Sequence, residues 1–135
     1  MSIRAAVYAI LTGDTTVNNL VSGHVFRQVI PQQGGAAAYV PAITFRVANT
    51  NRSKTFCRTD GTVMRRVSVD AYAVTQTEAE DIAEAAGDAL RDYRGTVEGL
   101  FIADISQSDE YDLEDIEPGL YRVHQEYEVW HRPAA

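Results

Sequence analysis

A single cysteine, Cys57, leaves the chain without an intramolecular disulfide or a multi-cysteine zinc site, which suits a reducing compartment. Its three histidines, His24, His124 and His131, stand far apart. None falls at the H-x-x-x-H or H-E-x-x-H spacing that puts two imidazoles on one helix face, so no metal site is expected. No G-x-S-x-G, Walker A or dinucleotide fingerprint occurs. Gly34-Gly35 lies between predicted strands and opens no helix, so it does not cradle a phosphate. No apolar run nears the roughly 20 residues that cross a bilayer. The opening MSIRAAVYAILTGD lacks the basic region, long apolar run and cleavage site of a signal peptide. These absences predict a soluble chain, intracellular when made, with no membrane partner. No group of residues has the makings of an active site, so the chain is expected not to be an enzyme, with no catalytic residue and no cofactor.

What is present is an ordinary globular balance, 45% apolar and 23% charged residues over 135 positions. That is enough for one domain, residues 1–135, with a core of its own. The net charge of −7 is unevenly spread. Residues 1–68 hold eight Arg and Lys against Asp14 and Asp60, whereas residues 69–135 hold four basic residues against seventeen acidic ones. Three readings of this polarity stay open: opposite-sign surfaces for subunit contact, a basic patch for nucleic acid, or solvated charge with no partner.

The plainest structural signal runs from Val63 to Gly95. Val63, Val67, Val69, Ala71 and Ala73 alternate with Arg66, Ser68, Asp70 and Tyr72, the period of two of a half-buried strand. At Thr75-Gln76-Thr77-Glu78 a capping box starts a helix. Its apolar stripe is Ala79, Ile82, Ala83, Ala86, Leu90 and Tyr93. Acidic residues in its first turns and Arg91 and Arg94 at its end suit the macrodipole, with Gly95 as the C-terminal cap.

Before this unit, Ser2 and the stripe Ile3, Ala6, Val7, Ile10 and Leu11 predict a first short helix ending at Gly13. Asp14 caps a second, carrying Val17, Leu20 and Val21 inward until Gly23. His24–Ile30 and Ala42–Ala48 read as strands, separated by a loop over Pro31–Ala38. After it, Leu100–Ser106 reads as a strand with Phe101, Ala103 and Ile105 on one face and Leu100 and Ile102 on the other. Leu120–Trp130 is the last and longest strand, and residues 131–135 are expected to fray.

Two charged stretches remain. The segment 51–60 is basic through Arg52, Lys54 and Arg58 and carries one aromatic, Phe56. It could meet phosphates and bases, grip an acidic protein surface, or simply end a solvated hairpin. Cys57 within it has no histidine nearby in sequence to activate it. The other is acidic: Asp109, Glu110, Asp112, Glu114, Asp115 and Glu117. Its spacing is wrong for an EF-hand, so a solvated acidic loop is expected instead of a calcium site.

Three segments carry a family resemblance: MSIRAAVYAILTGD, VSVDAYAVTQTEAEDIAEAAGDALRDYRG and EPGLYRVHQEYEVWHR. In that order the chain resembles the small tail-completion or tail-terminator proteins of long-tailed bacteriophages and gene transfer agents. The likeness rests on the strand end Val69–Tyr72, the T-x-x-E-A helix start at Thr75–Ala79, the aromatic-Arg-Gly at Tyr93–Gly95 and the G-L-Y-R-V strand at Gly119–Val123. The segments Gln32–Ala38 and Asn51–Asp60 match no motif of that family.

The resemblance implies a structural part, a subunit that forms a ring, commonly a hexamer, to cap the finished tail tube. Its implied partners are other copies of itself, the tail tube protein and a head-completion or neck protein, with DNA only passing through the lumen. Its place would be the tail–head junction of the virion, after assembly in the cytoplasm of a bacterial host. A ring joins unlike surfaces, so Arg52, Lys54 and Arg58 are expected to meet Asp109, Glu110, Asp112, Glu114 and Asp115 of a neighbour. The rival readings are a head-side neck adaptor of the same particle and a nucleic-acid-binding module using the basic segment 51–60. A small enzyme is the remaining alternative. The expected fold is α+β: a mostly antiparallel sheet, one long helix packed on it, and two short N-terminal helices.

Overall fold

The computed structural model describes residues 3–27, 40–49, 63–114 and 120–133. Three helices and six strands follow one another as α1 (Ile3–Gly13), α2 (Thr15–Val21), β1 (Val25–Arg27), β2 (Ala42–Asn49), β3 (Val63–Ala73), α3 (Gln76–Leu90), β4 (Gly95–Val97), β5 (Leu100–Glu114) and β6 (Tyr121–Pro133). The fold is α+β, as the sequence predicts. Its six-stranded sheet runs β1-β2-β3-β6-β5-β4 and is mixed, because β1 lies parallel to β2 while the other pairs are antiparallel.

The helices start where local chemistry supplies a cap. Asp14 accepts from the Val17 N–H at 3.0 Å to open α2. Ser22 and Gly23 then turn left-handed, at φ 53° and 78°, to close it. Thr75 accepts from the Glu78 N–H at 3.2 Å to open α3. The apolar stripes of the three helices face one way. Ile3, Val7 and Leu11 of α1, Val17 and Val21 of α2, and Ile82, Ala86 and Leu90 of α3 join Phe45, Val67, Val69, Ile105, Tyr127 and Val129 of the sheet in one buried cluster. α3 packs against β3 and β6, and α1 against β1 and β2.

The structure departs from the sequence reading in four places. α3 ends at Leu90 and does not run on to Gly95. Arg91 takes an extended conformation, Asp92 turns left-handed at φ 61°, and the Asp92 N–H is donated to the Ile105 carbonyl at 2.8 Å. The chain leaves the helix to meet β5, and Gly95 opens β4, a strand the sequence did not announce. A two-residue turn follows: Glu98 (φ 50°) and Gly99 (φ 78°) are both left-handed, as a hairpin twisting with its strands requires.

The second departure is the phase of β5. A register shift between Ile102 and Asp104 inserts a residue, so Ile102 and Ile105 are both fully buried. The third is the acidic stretch, which is strand and not loop as far as Glu114. Asp109, Glu110, Tyr111 and Asp112 pair with Glu126, Gln125, His124 and Val123 of β6. Asp115 lies outside the described residues, as do Arg52, Lys54, Arg58 and Cys57. The fourth is the C-terminus. β6 continues to Pro133, and His131 is buried, so fraying over 131–133 is not what the chain does. Three further residues extend the strand because β5 pairs with them, Ile102 with His131, Phe101 with Arg132 and Leu100 with Pro133.

Candidate functional site

The strand order gives the charge asymmetry a spatial form. β1, β2 and most of β3 come from the basic half of the chain, and β6, β5 and β4 from the acidic half. One end of the sheet therefore presents Arg27 and Arg46, both exposed, and the other presents Asp109, Glu110 and Asp112, also exposed. The three helices cover one face of this sheet, and two polar features stand out on what remains.

The first is a row of charged and aromatic side chains on the face turned away from the helices. The His124 imidazole sits between two carboxylates, with Nδ1 at 2.6 Å from Asp70 and Nε2 at 3.1 Å from Glu126. Which nitrogen donates in each contact follows the ring's tautomer. The Tyr111 ring packs at 4.9 Å from the imidazole. Partial desolvation, then the Glu126 and Asp109 carboxylates, raise the Tyr111 hydroxyl above its usual pKa. Beside it the Arg122 guanidinium lies over the Tyr72 ring, 5.7 Å from its centre, and donates to its hydroxyl. Further along, Arg66 meets Glu128 at 3.7 Å, and Arg94 and Arg132 both approach Phe101. Opposite charges are thus matched across strands. With one ring nitrogen at Asp70 of β3 and the other at Glu126, His124 ties β6 to β3 across this face.

The second feature is a groove of about 560 Å³ between α3 and the outer half of β5, lined by Glu80, Ala83, Glu84, Arg91, Glu110, Asp112 and Val123. Four carboxylates face one guanidinium there. Arg91 is held by Asp88 at 3.0 Å and donates to Gln107 at 2.5 Å, which ties the end of α3 to β5. Gln125, which is fully buried, joins two of these lining residues. Its Nε2 donates to the Ala83 carbonyl at 2.9 Å and to Glu110 Oε1 at 2.8 Å, and its Oε1 accepts from the Tyr127 hydroxyl at 2.9 Å. One amide thereby fixes α3, β5 and β6 together. Among the described residues no group of three or more His, Cys, Asp or Glu could hold a metal ion.

Of the sequence-predicted contact residues, the structure brings Asp109, Glu110 and Asp112 onto the exposed part of one strand. Glu114 ends that strand. Gln125 and the Asp70–His124 pair went unpredicted. Alternation does place Asp70 and His124 at polar positions, but only the β3–β6 register shows that they are opposite each other.

The family model described as Tail completion protein gp17 matches residues 5–132. Among solved structures, a chain from "Virion of native gene transfer agent (GTA) particle" superposes with a TM-score of 0.74 at 14% sequence identity, covering 97% of this chain and 95% of that one. At that identity the likeness is one of fold. No curated protein matches the chain in sequence.

Proposed function

The chain belongs to the tail completion protein gp17 family, and from that premise we propose that it is a structural subunit that closes the tail tube as a ring and offers the surface to which the head is joined. The observation carrying this reading is the extent of the family match, residues 5–132, which takes in all of the sheet but Pro133 and all but the first two residues of α1. Residues 1–135 act in it as one domain. The partners are further copies of the chain, most simply six, the tail tube protein and a head-side neck protein, at the tail–head junction of the virion. Two ends of one sheet with opposite charge give each subunit the unlike surfaces that head-to-tail contact needs. Arg52, Lys54 and Arg58 of one subunit, with Asp109, Glu110, Asp112, Glu114 and Asp115 of its neighbour, are its contact residues.

The test is a particle preparation made without this protein and viewed by electron microscopy. The expected result is filled heads and tails lying separate, with joining restored when purified protein is added. Normal joined particles in its absence would remove the reading. Incubating the purified protein with isolated tails and with isolated filled heads separates a tail cap, which sediments with tails, from a head-side adaptor, which sediments with heads.

A further inference from the structure

Among the described residues, no strand covers the far edge of β5 along most of its length. β4 pairs only with Leu100, Phe101 and Ile102, and the Asp92 N–H takes the Ile105 carbonyl. From Ser106 to Glu114, nothing among the described residues adds a strand to the side of β5 facing away from β6. Side chains of the strand itself reach its backbone there: Asp109 accepts from the Glu110 N–H, and Gln107 donates to the Asp109 carbonyl. At about 3.4 Å per residue, this is an open edge of roughly 30 Å. Ser108–Asp112 are exposed on both faces of the strand. A row of unpaired backbone donors and acceptors is a template for another strand.

The side chains along the edge decide which strand it accepts. Asp109, Glu110 and Asp112 would meet their own images if two such edges paired, and like charges directly opposite destabilise a pair. The same carboxylates favour a strand bordered by cations. The opposite end of the sheet is such a strand. β1 has no strand beyond it among the described residues. Arg27 projects on the helix side, over the Tyr8 ring, and Arg46 on the adjoining strand is exposed on the other face. Asp112 and Asp109 also lie on opposite faces of β5, with Asp112 lining the groove. Each face therefore offers one cation at one end and an anion at the other.

We propose that the outer edge of β5 in one subunit pairs with the β1 edge of a second copy of this chain, so that the sheet continues from subunit to subunit, head to tail. The contact is heterologous. It closes into a ring when the rotation between neighbours divides the circle, and it deepens the ring reading above, on which it rests.

The experiment uses full-length chains and light scattering or native mass spectrometry. The wild-type chain is expected to form species larger than a dimer. D109K/D112K and R27E/R46E should each lose self-association at least tenfold and run as monomers, with circular dichroism showing the fold retained because all four positions are exposed. A chain carrying all four substitutions should assemble again, and so should a 1:1 mixture of the two double variants, since reversed edges are complementary to each other. A monomeric wild type, a D109K/D112K chain that assembles like wild type, or failure of both the fourfold chain and the mixture to assemble overturns the proposal. Rings indifferent to D109K/D112K would sink the edge pairing and leave the tail-closing reading standing. Joined particles formed without the protein would sink that reading whatever the edge does.

Discussion

The two faces of β6 belong to one strand and follow different rules. Toward the helices, Val123, Gln125, Tyr127, Val129 and His131 are buried. Away from them, Arg122, His124, Glu126 and Glu128 are half-buried and bonded or stacked to neighbours on β3 and β5. On the buried face a polar atom must be satisfied completely, because water is not there to replace a lost partner. On the open face each charge has a partner, yet solvent is close enough to take its place. Position within the period of two thus decides what a hydrogen bond is worth.

That contrast can be broken first at Gln125. Replacing it by leucine removes the donor to Ala83 and Glu110 and the acceptor of Tyr127. The expected loss is about 3 kcal/mol, read as a lower urea midpoint. A loss under about 1 kcal/mol would mean the three groups find other partners.

His131 comes next. Burial, and then the nearby Arg65 charge, push its pKa down to about 4, and neither ring nitrogen has a hydrogen-bond partner among the described residues. The unfolded chain binds its proton near 6.5 and the folded chain only near 4, so between those values the unfolded state holds more protons. Stability is whole above about pH 6.5 and falls as pH drops toward 4. Allowing for partial screening, the fall is about 2 kcal/mol. H131F should flatten this slope in a series of melts from pH 7 to pH 4, and an unchanged slope would exonerate the residue.

The open face should give less. D70A leaves the Nδ1 contact of His124 without its acceptor, beside a partner that is still present in Glu126, and should cost about 1 kcal/mol. R66A removes an ion pair whose arginine is 57% exposed, with an expected change within about 0.5 kcal/mol. An order reversed between R66A and Q125L would end the comparison between the faces.

The helices were legible because what makes them is local: apolar spacing and the Asp14 and Thr75 caps lie within a few residues of what they determine. The core face of β6 was legible for a similar reason, apart from Gln125, whose polarity says outside while its partners on α3 and β5 place it inside. The exit from α3 was not legible. Arg91, Arg94 and Gly95 look like the end of a helix, and only the distant Ile105 carbonyl and Gln107 draw the chain away sooner. The acidic stretch was misread because its strand character comes from β6, while two register shifts, at Ile102/Asp104 and Gln107/Asp109, scramble the alternation that would have betrayed it. The Asp70–His124 contact spans 54 residues, a distance over which spacing carries no register.

The central position of β6 also bears on how the chain is born. It lies between β3 and β5 yet follows both in the sequence. Until translation reaches Tyr121, β3 and β5 have no strand between them, and Val67, Val69 and Ile105 lack the Tyr127 and Val129 side chains that complete their cluster. The nascent chain therefore passes through a stage with two apolar strands waiting for one that has not yet been made. Non-local pairing of this kind is slow and leaves sticky intermediates.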